Sequence, residues 1–190
     1  CLRASTRQRC RTQGACRSGA AGTRELPLAE DTEEPMTSAH IWEEYSHARR
    51  PTEDDIEVTE RVLGYSLPDD FISLMVDHQG KCAVRTRVRC EDGRKMAIGH
   101  LHFLTSNDNG GRNVAQLTSL WRGRGYPRWL VPFATVGSQD HLALDYGETP
   151  ERPRVSYVFP DGDAVQTGYW SIRPIASSVS DLLGMFETDD

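Results

Sequence analysis

The stretch Leu130–Asp145, LVPFATVGSQDHLALD, constrains the fold more than any other part of the chain. It reads as two short apolar strands joined by a Gly-containing turn and closed by a carboxylate. Leu142 and Leu144 alternate with His141, Ala143 and Asp145, the period of a strand with one buried face. Such a pair builds a sheet and supplies no catalytic group. The segment points to a scaffold that binds.

Charge divides the chain sharply. Residues 1–24 hold six arginines and no acid, although the 190 residues together carry −6. Residues 25–190 therefore carry 16 basic against 28 acidic side chains, a net −12. Residues 1–36 are rich in Arg, Gly, Ala, Ser and Thr, hold three of the five cysteines and contain no aromatic residue. A segment of this kind buries too little apolar surface to offset its ordering entropy. We read it as a disordered basic leader, and because the first methionine is Met36, the native protein is expected to start near there. A nucleic-acid-binding arm and a lipid anchor on Cys1 are the rival readings. The segment lacks the apolar core of a secretory signal, and no run of about 18 apolar residues exists anywhere in the chain.

The chain is 37% hydrophobic, and the remainder, 37–190, suits one domain with a real core. Cysteine spacing builds neither a disulfide framework nor a metal site. Cys82 and Cys90 lie eight apart on one apparent strand, about 26 Å at 3.3 Å per residue. Free thiols in a reducing cytoplasm are expected.

The expected elements follow from caps and periods. Thr37 or Ser38 starts a short helix through Ile41, Trp42 and Tyr45. After Pro51, Thr52 caps a second helix with acids in its first turn, which complement the dipole, and Gly64 stops it. Ser66-Leu67-Pro68-Asp69-Asp70 opens a third, carrying Phe71, Leu74, Met75 and His78 to Gly80. The period then changes to two: Cys82–Arg89 and Lys95–Leu104 form a hairpin. A polar loop, 105–112, leads to a helix with Val114, Leu117, Leu120 and Trp121. After the 130–145 pair come strands at Arg154–Phe159 and Val165–Ile172, and Ser177 or Ser178 caps a last helix. The expected fold is α+β: N-terminal helices, a mainly antiparallel sheet of five or six strands, and a C-terminal helix packed on it.

The joint order of Leu67-Pro68-Asp69-Asp70-Phe71, His78-Gln79-Gly80, Val131-Pro132-Phe133-Ala134, Asp140–Asp145 and Ile175–Leu183 resembles the SUKH superfamily over residues 38–187. That superfamily includes a fungal cell-wall-synthesis regulator and many bacterial immunity proteins against toxins. The resemblance implies a non-enzymatic fold whose partner is another protein. The chain departs from the pattern at His78-Gln79, where the family often has Asn-Gly, and in the turn before Asp140, which often holds more glycine and acid.

Chemical alternatives are poorly supported by the residues. His100 and His102 share a face of a predicted strand, as two metal ligands would; a third ligand is needed, for which Cys90 or Asp92 across the hairpin is the only nearby candidate, and polar alternation on an exposed sheet face explains the pair equally well. The loop Asn107-Asp108-Asn109-Gly110 lacks the bidentate Glu of a calcium site, with Gln116 in its place. Neither a Gly-x-Ser-x-Gly elbow nor a phosphate loop is present. Gly123-Arg124-Gly125 lacks the third glycine and the context of a dinucleotide fingerprint. Asp140, His141 and Ser138 make a poor relay because adjacent strand residues point to opposite faces. No enzyme, metal or cofactor is expected.

Binding has candidates. From Met36 onward there are 23 acids against 16 bases, a net −7, which repels nucleic acid and favours a basic partner. Asp108, Asp140, Asp145, Asp161 and Asp163 come from loops or strand ends that gather at one sheet edge. Trp121 and Tyr126, flanked by arginines, are the expected exposed anchors, while Trp42, Trp129 and Trp170 are assigned to the core. The expectation is a cytoplasmic immunity protein that occludes a basic toxin domain, with no nucleic acid or membrane as partner. A regulatory scaffold is the second reading, and a metal-dependent binder or hydrolase the third.

Overall fold

Thr52 begins the first helix with a reciprocal cap. Its hydroxyl accepts from the Asp55 amide, and the Asp55 carboxylate accepts from the Thr52 amide at 2.8 Å. Arg49 adds an ion pair to Asp55 at 2.6 Å. The computed structural model describes residues 41–44, 49–84, 86–90, 93, 95–105, 113–137, 140–160 and 170–188. Helix α1 spans Glu53–Leu63 and ends at Gly64, whose φ of +78° is the left-handed conformation that glycine adopts without strain. Pro68 then introduces α2, Asp69–His78, which buries Phe71, Leu74 and Met75. The expected leader, and the loops holding Asp108, Asp161, Asp163 and Ser138, lie outside the described residues.

Thr37, Ser38 and Tyr45 of the expected first helix lie outside the described residues, and its described part is a strand. Residues Trp42–Glu44 form β1, antiparallel to β2 at Lys81–Ala83. Three apolar residues spaced for a single helical turn are few against a ready sheet edge with backbone groups to satisfy.

The apparent strand through Cys82 is also two strands, β2 and then β3 at Thr86–Arg89. Both pair with β4, Lys95–Leu101, but Cys82 opposes His100 while Arg87 opposes Ala97, so the register shifts between them. The eight-residue separation of the two thiols thus runs through a break. Burial raises the Cys82 thiol pKa, as does the nearby Glu43 charge.

Helix α3, Val114–Gly123, is capped by Asn113 and leads to β5, Leu130–Val136, and β6, Asp140–Asp145. These are the two strands expected from the 130–145 pattern, paired from Leu130↔Asp145 to Val136↔Asp140 with a bulge near Phe133. Strands β7, Arg154–Pro160, and β8, Trp170–Ala176, follow. The last helix, α4, covers Val179–Gly184 behind the Ser178 cap, and β9, Phe186–Thr188, pairs with β3.

Among the described residues the sheet therefore has nine strands, more than the five or six expected, in the order β1-β2-β4-β5-β6-β7-β8, with β3 branching from β4 and carrying β9. Every named pairing is antiparallel. The class is α+β, as expected.

Alternation along β5 and β6 separates two apolar clusters. Val131, Phe133, Leu142 and Leu144 join Phe71, Leu74, Met75 and Leu182 in the larger one. Leu130, Ala143 and Val158 join Leu117 and Trp121 of α3 in the smaller. Both faces of the central strands are covered, which is why β5 is apolar almost throughout instead of alternating. Each fully buried Leu or Phe contributes roughly 1.5–3 kcal/mol. No helix among the described residues is long and apolar enough to cross a membrane.

Candidate functional site

The departures in the turn after α2 have a structural use. Gln79 is buried, donates from Nε2 to the Arg49 carbonyl at 2.6 Å and accepts from the Leu104 amide at 2.9 Å. Gly80 follows at φ +74°, and its amide bonds to Leu101. The turn is retained, with a side chain stitching the entry of α1 to the end of the hairpin.

Trp121 is not the exposed anchor expected. It is 4% exposed, because residues 117, 118 and 121 form the face of α3 that lies on the sheet. Tyr126 is half-buried, stacked between Trp121 at 4.2 Å and Trp170 at 3.5 Å between ring centroids. Burial pushes its phenol pKa up to about 12, against a small opposing effect of Arg124. Arg122 does not decorate a surface but donates to the Val62 and Leu63 carbonyls, closing the C-terminus of α1. Conversely Trp129, assigned to the core, is 44% exposed. Trp42 and Trp170 are half-buried.

The histidines extend this ring column. His102 is 2% exposed, so it does not belong to an exposed polar face. Its Nε2 lies 3.5 Å from His141 Nδ1, and His141 packs nearly perpendicular to Trp121 with ring centroids 5.2 Å apart. His100 is half-buried, its pKa lowered by burial, and its Nδ1 is 3.3 Å from Thr135 Oγ1. Among the described residues no three metal-ligating side chains converge.

Asp145 does not stand on an acidic rim. It is 3% exposed and accepts from Gly147 N at 3.0 Å, Ser156 Oγ at 3.0 Å and Arg154 Nε at 3.1 Å. Its carboxylate holds the β6–β7 connection together. Asp108, Asp161 and Asp163 lie outside the described residues.

Asp140 is different. It opens β6 on the opposite face of the strand, half-buried, and its carboxylate accepts from the Tyr157 hydroxyl. Tyr157 stacks on Phe159, two residues on along β7, at 5.0 Å. Arg173 of β8, paired across from Tyr157, holds its guanidinium carbon 5.1 Å from the Phe159 ring centroid. Phe159 is half-buried and Arg173 exposed. The period of two brings these groups to one face at the outer strands of the sheet. Aromatic rings, an arginine and a carboxylate with apolar support make a surface suited to gripping another macromolecule. Phe159 and Arg173 were missed, although the alternation of β7 was a signal for the first.

A family model, that of the SMI1 / KNR4 family (SUKH-1), matches residues 50–185. No curated protein and no solved structure matches the chain.

Proposed function

The chain belongs to the SMI1 / KNR4 family (SUKH-1), and on that premise we propose that it is a non-enzymatic immunity protein that binds a toxin domain and covers its working surface. The observation that carries the reading is the Asp140–Tyr157–Phe159–Arg173 face, where partly exposed aromatics and an arginine are held by neighbouring strands. Rigid aromatic and arginine anchors concentrate binding energy. The acidic excess of the domain favours a basic partner, raising its association rate by steering. Toxins that act on nucleic acids are commonly basic, so an acidic cover competes directly with their substrate.

The test is genetic and biophysical together. A protein captured by this chain is expressed in cells lacking the chain, and growth is followed with and without the chain restored. Growth arrest relieved by the native chain supports the reading. A harmless partner replaces it with the regulatory reading. Substituting Phe159→Ala and Arg173→Ala together is expected to weaken the partner by about 10–100-fold, and unchanged affinity would show that another face binds.

A further inference from the structure

Away from that face, a cleft of about 450 Å³ opens where α2, β1, α4 and β9 converge. Pockets for ligands run about 300–1,000 Å³. Its wall is aromatic. Trp42 stacks on His78 with centroids 5.0 Å apart and 17° between the planes, and Phe186 tilts against Trp42 at 6.1 Å. Leu74 lines the same cleft. The charged side chains among its described lining residues are both acids, Asp70 and Asp77.

The acids differ in how far they are committed. Asp70 accepts from its neighbour's amide, Phe71 N, and from Ser180 N at the start of α4, both at 2.8 Å, so it joins two helix starts. Asp77 is exposed and accepts from Arg50 at 2.9 Å. A guanidinium thus already rests on the rim, and a carboxylate offers about four acceptor positions, so one bond does not fill it. Burial lowers the His78 pKa, and the Lys81 charge acts in the same direction. Asp77 acts against both, and the net effect disfavours the charged imidazole that would repel a cation.

We infer that this cleft receives an arginine side chain from a partner protein. The guanidinium lies against the Trp42 ring and on Asp77, and the methylenes run along Leu74 and Phe186. Arginine fits better than lysine because its head is flat, weakly hydrated and forked, matching both an aromatic ring and a carboxylate. The inference does not depend on what the partner does, so it stands or fails separately from the toxin reading.

The experiment titrates N-acetyl-arginine methylamide into the ¹⁵N-labelled full chain and follows NMR shifts. The control is the citrulline analogue, which has nearly the same shape without the charge. The expected result is saturable movement of the Trp42 indole and of amides in α2 and α4, with Kd on the order of 1–10 mM for one side chain. Citrulline is expected to bind at least about fivefold more weakly, since it loses both the ion pair and the cation–aromatic attraction. The Asp77→Asn change, on an exposed helix position, is expected to reduce that preference to the cation–aromatic part while leaving the citrulline shifts as they were, and an unreduced preference would also overturn the assignment. Equal binding of the two probes, movement confined to other parts of the chain, or no saturable movement at all would overturn the assignment.

Discussion

The two ends of β6 carry the same side chain and use it in opposite ways. Asp145, at the inner end, is 3% exposed and gives its oxygens to Gly147, Ser156 and Arg154. Asp140, five residues earlier and so on the other face, is half-buried and meets the Tyr157 hydroxyl at the margin of the sheet. One acid is absorbed by the fold, and the other keeps acceptor capacity beside exposed groups. Charge counted along a sequence therefore overstates the charge offered to a partner. A carboxylate at a strand end is as suited to closing the next turn as to forming a rim.

The largest expected effect tests the inner end. The Asp145→Ala change leaves a buried hydroxyl, a turn amide and a guanidinium without their acceptor, and is expected to cost about 2–4 kcal/mol in urea unfolding. The Asp140→Ala change is expected to cost under about 1 kcal/mol, because one side-chain hydrogen bond at a wetter site is lost. Equal losses would erase the distinction between the two ends.

A double-mutant cycle sharpens it. Arg154 is about one-third exposed and also pairs with Glu148 at 2.9 Å. Its coupling to Asp145 is therefore shared and partly screened, and about 1–2 kcal/mol is expected from Asp145→Ala combined with Arg154→Ala. A coupling near zero would mean that Ser156 and Gly147, and not the ion pair, account for the cost of losing Asp145.

The same contrast explains what could be read from the sequence. Local signals were legible. The Thr52 cap, the Gly64 stop, the Ser178 cap and the alternation of β5 and β6 act within a few residues and stand in the structure as expected. The order of short motifs also carried the family. Signals that depend on what lies across the sheet were not legible. Trp42 pairs with Ala83 rather than turning in a helix. Trp121 faces inward because α3 lies on the sheet, while Trp129 remains outside. The Arg122 guanidinium reaches carbonyls some sixty residues away. The acids at 140 and 145 are alike in sequence, and only their cross-strand neighbours separate them.

A third acid, Asp55, lies between these cases. It is bound by Arg49, whose hydrogen bond does most to hold its carboxyl pKa far below the ordinary range, with help from the Thr52 cap and against the effect of burial. A depressed pKa in the folded state contributes stability above the unfolded value of about 3.9, and that contribution is lost as pH falls below it. Native protein is therefore expected to lose stability between about pH 5 and pH 2 more steeply than Asp55→Asn, in urea midpoints measured along that range. Removing only the cap hydroxyl with Thr52→Val is expected to cost about 1 kcal/mol at pH 7. Parallel pH curves for native and Asp55→Asn protein would mean that the carboxylate is no better held in the fold than in the unfolded chain.

The smallest expected stability effect belongs to Tyr157→Phe, and it is the most informative about function. The change removes the hydroxyl that Asp140 accepts from but keeps the ring stacked on Phe159, so stability should move by no more than about 0.5 kcal/mol. Freed from that bond, Asp140 becomes a more available acceptor, while its orientation on the face is loosened. If Asp140 contacts a basic partner through a preset geometry, affinity falls although the fold is intact, and the loss shrinks as salt is raised because charge attraction is screened. If Asp140 acts only through long-range steering, the association rate falls for Asp140→Asn but stays the same for Tyr157→Phe. An unchanged rate and affinity in both variants would place the partner elsewhere, and the outer end of β6 would then serve the fold much as the inner end does.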